Sequence, residues 1–322
     1  MTILSIFAKV LWPTAGLSLA WRKLLYRQLC KGDITPNFQF STDFFGLKYE
    51  GNLNNNIEAN ILFYGAFEKP LLFFLRDCWN ALQSESCKNH KTAFIDIGAN
   101  IGQHSLFMSR LVKQIHAFEP FPKALERFQH HVELNQIHNI RLHPVGLSDT
   151  NENLTFYAPQ SRNQGIGSFD PSTIQKGNVA SEKLEVAKGD DYFTKMKINC
   201  LDIVKLDVEG FEKKVLVGMQ RVLMKHRPII VCEVSYGKEV SFNSIQQLRE
   251  TLPEEYQLFT FNTRKPDGSK ARKRGAKARK TGTYQLVPFI QWRLSGQDNV
   301  IACPKEKQRI LPMQGIGRIA VP

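Results

Sequence analysis

Residues 92–120 read TAFIDIGANIGQHSLFMSRLVKQIHAFEP, and this stretch decides the fold. An apolar run at 93–97 is followed by a glycine turn at 98–102, a helical pattern of apolar positions, and a second apolar run at 115–118. The pattern predicts a strand, a turn, a helix and a second strand. Such a unit is half of a doubly wound, Rossmann-like α/β sheet that binds a nucleotide.

The turn and the end of the second strand indicate the kind of ligand. Gly98 and Gly102 allow a tight turn and a close approach of the backbone to a ligand. Glu119 follows the second strand, where an acidic side chain accepts hydrogen bonds from both ribose hydroxyls. Asn100 stands where a dinucleotide-binding turn has glycine, which disfavours a pyrophosphate. The turn therefore favours S-adenosylmethionine, with its amino acid group near Asp96, over a dinucleotide or a ligand-free turn.

A third strand is predicted at 140–145, and a turn follows it at 146–149. In an open α/β sheet, the ligand lies over the carboxyl ends of the strands. This turn is therefore expected to contact an adenine ring. Its polar members, Ser148 and Asp149, are predicted to bind the cofactor.

Three carboxylates lie at the ends of the fourth and fifth predicted strands, at 203–206 and 228–234: Asp207 and Glu209 follow the fourth, and Glu233 is near the end of the fifth. Asp207 is the candidate for general base or for positioning of the acceptor, with Glu209 or Glu233 assisting. Two alternatives remain: Asp207 and Glu209 could cap a helix, or a divalent metal could bridge Asp207 and Glu233. We predict no metal site, since hard cations usually take more oxygen ligands than this set offers.

Four motifs resemble the successive motifs of the FkbM family of S-adenosylmethionine-dependent methyltransferases. They are FIDIGANIG at 94–102, FEP at 118–120, GLSD at 146–149 and VKLDVEGFE at 204–212. Residues 65–68, GAFE, are similar to the lead-in motif of the family, and Glu68 within them is predicted to bind the cofactor. The resemblance covers roughly residues 57–304.

The resemblance implies a fold and an activity. The fold is a class I methyltransferase sheet of seven strands, mostly parallel with an antiparallel last strand, preceded here by a helical lead-in. The sixth and seventh strands are expected at 256–261 and 300–303. The implied activity is O-methylation of a hydroxyl on a glycan, a glycolipid or a natural product.

The chain divides into four predicted parts. An apolar helical segment occupies 1–33, a lead-in or cap follows at 34–91, the methyltransferase domain spans 92–304, and a tail occupies 305–322. Within the lead-in we expect a short hairpin and one long helical stretch at 57–79. The domain carries a basic insertion at 264–281, which is rich in Gly and Ala, has no apolar period and is expected to be mobile.

Charge is concentrated in this insertion. The net charge is +13, and between Arg264 and Lys280 there are nine Lys or Arg residues against one Asp. Such a segment could guide a nucleic-acid methyltransferase, or it could hold a non-catalytic module on an anionic membrane. We disfavour nucleic acid because the insertion has no interleaved aromatic residues for stacking. A catalytically silent module would have no need of Asp96, Glu119 and Asp207 together.

The N-terminal apolar segment leaves three interpretations open. Lys9 and Pro13 interrupt it, and Arg22, Lys23 and Arg27 follow it. It could be an interfacial helix at a membrane surface, a helix packed on the domain, or a membrane anchor. The six cysteines are scattered without zinc or disulfide spacing, which is typical of reduced thiols. We therefore expect a cytoplasmic protein, with peripheral membrane contact through residues 1–30 as an open question.

Overall fold

The computed structural model describes residues 18–31, 37–85, 92–160, 167–237, 241–265 and 267–317. Ten α-helices are described in these ranges. They are α1 (Leu19–Lys31), α2 (Asn56–Tyr64), α3 (Lys69–Glu85), α4 (Gln103–Met108), α5 (Pro122–Leu134), α6 (Gly189–Lys195), α7 (Glu212–Gly218), α8 (Gln220–His226), α9 (Ile245–Glu250) and α10 (Arg272–Thr281). Two 3₁₀ helices lie at Pro171–Lys176 and Lys305–Ile310.

Fourteen strands are described in the same parts of the chain. They are β1 (Gln39–Phe44), β2 (Leu47–Asn52), β3 (Ala93–Ile97), β4 (Gln114–Phe118), β5 (Ile140–His143), β6 (Gly146–Ser148), β7 (Glu152–Pro159), β8 (Asn178–Lys188), β9 (Ile203–Leu206), β10 (Ile229–Tyr236), β11 (Tyr256–Phe261), β12 (Tyr284–Pro288), β13 (Gly296–Pro304) and β14 (Gln314–Gly315).

Nine of the strands form the central sheet, in the order β14-β12-β11-β13-β10-β9-β3-β4-β5. The strands from β10 to β5 pair in parallel, and β13 pairs antiparallel with both β10 and β11. The mixed α/β sheet is as predicted, but the expected number of seven strands is wrong. Two further strands, β12 and β14, extend the sheet beyond β11, so that part of the predicted tail joins the sheet edge.

The two strands at the centre of the parallel region explain why the sequence folds this way. Every residue of β3 and of β9 is buried. Strands covered by helices on both faces need continuous apolar runs rather than alternation. Lys205 in β9 breaks this rule, because it is a buried cation among apolar neighbours. Its partners are the acidic groups of the candidate site.

The lead-in differs from the expected single helix at 57–79. Gly65 ends α2 with φ +83°, a left-handed conformation that glycine adopts at little cost. Residues 65–68 then form a break before α3 begins at Lys69. This break turns Glu68 towards the sheet, which one continuous helix would not do. The predicted hairpin is confirmed as β1 and β2.

The sequence pattern at 154–157 and 184–186 predicts a short antiparallel excursion, and these residues lie in β7 and β8, which pair antiparallel in a separate three-stranded sheet with β6. The Gly/Ser-rich stretch 164–168, which is typical of an ordinary surface loop or, as the alternative, of a loop that covers a substrate, falls mostly outside the described residues. Gly167 and Ser168 are described, and both line the central cavity.

The basic insertion is not the mobile loop that its composition suggested. Residues Arg272–Thr281 form α10, which packs against α3. Gly282 caps the helix with φ +77°, and its N–H donates to the carbonyl of Ala278. Lys and Arg are good helix formers. A helix with no apolar face therefore forms here because of its intrinsic helix propensity and because its C-terminal end is capped at Gly282.

Only the last part of the N-terminal segment is described. Leu29 of α1 is buried, and the ring of Tyr26 lies 5.2 Å from that of Phe63. The helix therefore packs on the domain along one side. Residues 1–17, to which the membrane interpretations mainly refer, lie outside the described residues. Among the helices that are described, none has the length and apolarity needed to cross a bilayer.

Candidate functional site

A cavity of about 270 Å³ opens at the carboxyl ends of the central parallel strands. The last residues of β3 and β4, Ile97 and Phe118, line it together with Asp207, which follows β9, and Glu233 of β10. Parallel strands end at the same edge of a sheet, and the turns beyond them enclose a ligand there. The position of the cavity agrees with the prediction from the sequence.

The glycines of the turn after β3 also permit close contacts within the protein, while their predicted approach to a ligand stays a prediction. A Cβ atom on Gly98 would lie 1.8 Å from the carbonyl oxygen of Asp207, and one on Gly102 would lie 2.1 Å from the ring of Phe128. Both residues have positive φ, +74° and +80°. These close contacts are with the protein itself. Gly98 joins the turn to the acidic segment after β9.

Glu119 is held at the cavity by backbone amides. Its two carboxylate oxygens accept hydrogen bonds from the N–H groups of Asn100, at 2.8 Å, and Phe121, at 2.9 Å. Burial raises the pKa of Glu119 to about 7, against the opposing effect of these hydrogen bonds. An ionised carboxylate has about four acceptor positions, so two remain for a ligand. The predicted contact with ribose hydroxyls stays a prediction.

Asp96 lies behind the cavity rather than in its wall. Its carboxylate is fully buried, accepts a hydrogen bond from Ser105 Oγ at 2.7 Å, and lies 3.5 Å from Lys205 Nζ. The same ammonium lies 3.4 Å from Asp207 Oδ2 and donates to the carbonyl of Gly98 at 3.1 Å. Burial would lower the pKa of Lys205, but the neighbouring carboxylates, Asp207 first, outweigh it and raise the pKa.

Lys205 was not predicted, although the sequence carried a signal. It is the one charged residue inside a four-residue strand that is otherwise apolar. A buried cation is retained only where acidic partners compensate its desolvation. Lys205 therefore connects Asp96 and the Gly98 carbonyl, at the end of β3, to Asp207 after β9.

The three carboxylates expected to be catalytic do lie together. Oxygen atoms of Asp207, Glu209 and Glu233 are within 4.8 Å of one another. Burial, then the charge of Asp207, then that of Glu209, raise the pKa of Glu233. This geometry suits a proton acceptor, and it is also compatible with a divalent cation, the alternative left open by the sequence.

A side chain from the antiparallel strand orients this cluster. Gln297 of β13 donates from its amide nitrogen to Glu233 Oε2 at 2.8 Å and to Ser235 Oγ at 3.1 Å. A longer contact of 3.4 Å joins the same nitrogen to Glu209 Oε2. Gln297 was not predicted from the sequence, because it belongs to no local motif and reaches the carboxylate cluster through the pairing of β13 with β10.

Glu68 lines the cavity from the break before α3, as its predicted role requires. It accepts a hydrogen bond from Asn299 Nδ2 at 3.1 Å, and its other oxygen lies 3.6 Å from Nε2 of the buried His104. Burial, and next the charge of Asp207, raise the pKa of Glu68 to about 7. Burial lowers the pKa of His104, so this ring is neutral. Both Asn299 and His104 were missed.

The turn after β5 places its residues differently from what the motif suggested. Gly146 and Leu147 line the cavity, while Ser148 is fully buried and donates to Asp149 Oδ1 at 3.1 Å. A Cβ on Gly218 would lie 1.9 Å from the carbonyl oxygen of Ser148, so α7 packs directly on this turn. Ser148 and Asp149 are not among the residues lining the cavity, and their contact with the cofactor stays a prediction.

An aromatic wall that was not predicted from the sequence completes the cavity. The rings of Phe121 and Phe156 stack at 4.9 Å, Phe156 meets Phe169 edge-on at 5.3 Å, and Phe169 lies 5.6 Å from Phe211. All four residues line the cavity. They come from four separate segments, so only the tertiary structure assembles them. Such a surface suits a planar base.

The charges of the wall fit S-adenosylmethionine better than a pyrophosphate cofactor. Among the described residues that line the cavity, five are carboxylates and one is a lysine, Lys205, which is already ion-paired. These carboxylates are Glu68, Glu119, Asp207, Glu209 and Glu233. A sulfonium carries positive charge, whereas a dinucleotide carries negative charge that this wall would repel. The aromatic wall offers a surface for the adenine.

Fold and site together define the class of Rossmann-like, S-adenosylmethionine-dependent methyltransferases. The family model described as the methyltransferase FkbM domain matches residues 96–259, about half of the chain. The protein belongs to the FkbM methyltransferase family, as its motifs indicated.

Several characterised proteins are similar to this chain over part of their length. Methyltransferase 1 of Beauveria bassiana is 29% identical over 142 residues, covering 39% of this chain and 57% of its own. The 2-O-methyltransferase NoeI of Sinorhizobium fredii is 27% identical over 147 residues, covering 41% and 59%. The hexuronic acid methyltransferase AglP of Haloferax volcanii is 30% identical over 142 residues, covering 42% and 53%. The chain thus spans little more than half the length of each relative.

Among solved structures, Methyltransferase FkbM from Methylobacillus flagellatus is similar at 15% sequence identity and a TM-score of 0.39. The match covers 66% of this chain and 43% of that one.

Proposed function

We propose that the protein is an S-adenosylmethionine-dependent O-methyltransferase that acts on a hydroxyl of a glycan or glycolipid, or of a natural product that carries such a hydroxyl. The observation that carries the proposal is the cluster of Asp207, Glu209 and Glu233 at the mouth of a cavity whose other end suits a nucleoside. Two of the similar proteins, by their names, are a 2-O-methyltransferase and a hexuronic acid methyltransferase.

The cofactor would be held between the turn after β3, Glu119 and the aromatic wall. When bound, S-adenosylmethionine supplies an electrophilic methyl group on a sulfonium. The protein must then hold the acceptor oxygen in line and remove its proton. Holding reactants in the right geometry can contribute about 7–11 kcal/mol. Lys205 is ion-paired with both Asp96 and Asp207, which fixes the position of Asp207 and so contributes to this geometry.

Asp207 and Glu233 would have different roles towards the acceptor hydroxyl. The hydroxyl would hydrogen-bond to one of these carboxylates and pass its proton to it as the C–O bond forms and the methyl–sulfur bond breaks, which leaves S-adenosylhomocysteine and the methylated acceptor. A general base works best when its pKa is near the working pH. Glu233 has a raised pKa and Gln297 to orient it, so it is the better proton acceptor. Asp207, held by Lys205, is the better positioning group. This refines the initial hypothesis, in which Asp207 led and Glu233 assisted.

The same charges favour a neutral acceptor over an acidic one. A hexuronate or phosphorylated sugar would bring its own negative charge against the carboxylates at the cavity mouth. Neutral sugars instead offer several hydroxyl donors, and buried acceptor groups favour donors strongly. We therefore place neutral sugar hydroxyls first among the candidate substrates.

Two measurements test the proposal separately. Calorimetric titration with S-adenosylmethionine, S-adenosylhomocysteine and NAD should show binding of the first two and not the third. Radiolabelled methyl transfer should then be measured on a panel of neutral glycans, glycolipids and uronic acid glycans. Binding without transfer to any member would contradict the substrate class while keeping the cofactor. Absence of binding by the folded protein would contradict the enzyme itself.

A further inference from the structure

Two basic segments that are far apart in the sequence meet at one tyrosine. The ammonium of Lys23 in α1 lies 3.4 Å from the centre of the Tyr64 ring, and the guanidinium of Arg279 in α10 lies 5.5 Å from it. Arg27 donates to the Tyr64 hydroxyl at 3.5 Å. Burial would raise the pKa of Tyr64, but Lys23 and Arg27 outweigh it and lower the pKa. The two helices therefore form one continuous cationic surface.

The helix α10 presents its charges to solvent from a fixed position. It carries six Lys or Arg residues and no acidic residue, and none of its residues is buried. At its end, a Cβ on Gly282 would lie 2.4 Å from the ring of Phe73 and 2.9 Å from the side chain of Lys69, which shows how closely the chain approaches α3 there. None of the Lys and Arg residues of α10 lines the central cavity, so these charges do not contribute to the candidate site.

The helix α1 adds an apolar component to the same surface. Trp21 is 61% exposed and Leu24, one helical turn further on, is 46% exposed. Residues three apart are neighbours on a helix surface, so the two side chains form one patch. The other side of the helix is packed on the domain through Leu29 and Tyr26. An exposed Trp beside Lys and Arg is typical of helices that lie in a membrane interface.

We propose that the surface formed by α1 and α10 around Tyr64, here called the basic–apolar face, docks the protein on an anionic lipid bilayer. The cations would interact with lipid headgroups within a Debye length of the surface, while Trp21 and Leu24 enter the interface. A bilayer suits this face better than RNA, because α10 has no aromatic side chain on which bases could stack and the exposed Trp21 of α1 forms an apolar patch with Leu24. The inference does not depend on the proposed reaction.

Vesicle co-sedimentation of the full chain tests the inference. We expect binding to vesicles of phosphatidylcholine with about one-third phosphatidylglycerol, little binding to pure phosphatidylcholine, and weakening of the binding when salt is raised. The triple variant Lys277→Glu, Arg279→Glu, Lys280→Glu should bind at least about tenfold more weakly. Trp21→Ser should weaken binding by at least about threefold at unchanged charge. Leu24→Ser tests the same point independently.

A matched control variant distinguishes the effect of the basic–apolar face on vesicle binding from the effect of net charge. Lys183, Lys195 and Lys225 are exposed on other elements, so their triple change to Glu alters the net charge by the same amount. This control should keep vesicle binding, with thermal unfolding midpoints of all variants near that of the parent. Equal losses in both triple variants would overturn the inference, as would no preference for anionic vesicles. Binding of labelled RNA that displaces the vesicles and is insensitive to Trp21→Ser would also overturn it.

Discussion

The cofactor end and the acceptor end of the cavity are built by different means. At the cofactor end, Glu119 is held by backbone N–H groups, and Gly98 is packed against a backbone carbonyl. At the proposed acceptor end, Glu233 is held by the side-chain amide of Gln297 from β13. Backbone contacts tie the first end to the fold itself. Side-chain contacts leave the second end adjustable, which suits a family whose members differ in acceptor.

The largest expected effect comes from breaking the backbone junction between the two ends. Gly98→Ala would place a Cβ 1.8 Å from the Asp207 carbonyl at a φ of +74°. Left-handed strain and overpacking together should destabilise the fold by about 2–5 kcal/mol and remove cofactor binding. Chemical denaturation and calorimetry measure the two effects.

Gly275→Ala is the matched control for this change. A Cβ on Gly275 would meet no atom within 4 Å, and the residue lies within α10. The substitution should be neutral or stabilise the protein by up to about 1 kcal/mol, because Ala favours a helix over Gly. Equal destabilisation by both substitutions would show that the junction after β3 has no special importance.

At the proposed acceptor end, Asp207→Asn should lower turnover by about 10²-fold, because the acceptor hydroxyl loses the group that positions it, while S-adenosylmethionine still binds. Lys205 keeps Asp96 and the Gly98 carbonyl as partners, so the fold should survive. Glu182→Gln, on an exposed part of β8, is the control. Assays with EDTA and with added Mg²⁺ belong to the same experiment, because the carboxylate cluster could hold a cation. If Asp207→Asn abolished cofactor binding, the assignment of Asp207 to the acceptor end would be wrong.

The contrast between the ends also explains what the sequence could predict. Gly98, Asn100, Gly102 and Glu119 lie within one strand–turn–helix–strand unit, where local pattern determines position. The carboxylates after β9 and in β10 were found because ends of parallel strands meet at one edge. Gln297, Asn299 and the aromatic wall were missed, since they reach the site through strand pairing or packing between remote segments.

Two errors have their own physical reasons. The strand count of seven came from the family resemblance and could not include β12 and β14, two short strands after the basic insertion that extend one side of the sheet. The insertion itself was expected to be mobile because it has no apolar period. Its helix is stabilised by propensity and by the capping glycine Gly282, and composition alone does not reveal such a cap.

A smaller effect is expected when the ribose contact is removed. Glu119→Ala should weaken S-adenosylmethionine binding by roughly 10–100-fold, since hydrogen bonds to charged groups contribute about 1.5–3 kcal/mol. Glu126→Ala, an exposed acidic residue on the neighbouring α5, serves as the control and should bind normally. Calorimetry measures both. Unchanged affinity of the Glu119 variant would mean that its carboxylate serves only the turn amides of Asn100 and Phe121.

The pH dependence of the reaction tests whether Glu233 accepts the proton. A carboxyl group with a raised pKa stays protonated to higher pH and cannot act as a base until it ionises. The value of kcat/KM should therefore rise with pH, by about tenfold per unit below the pKa. The pKa of Glu68 is also raised, to about 7, so ionisation of Glu68 produces a change of the same sign. This rise of kcat/KM with pH, the acid limb of the profile, should vanish in Glu233→Gln and persist in Glu68→Gln. The reverse pattern would show that Glu68, not Glu233, is the base.

The smallest expected effect concerns Gln297, which acts through Glu233. Its amide donates to the charged form of Glu233, and that hydrogen bond opposes the rise in the pKa of Glu233. Gln297→Ala should lower kcat by roughly tenfold, corresponding to about 1.4 kcal/mol, and move the acid limb to higher pH without changing cofactor affinity. Gln246→Ala on the surface of α9 is the control. A lower kcat with an unchanged acid limb would mean that Gln297 contributes packing between β10 and β13 rather than a hydrogen bond that sets the pKa of Glu233. The proposed acceptor end would then not be tuned by side chains of β13.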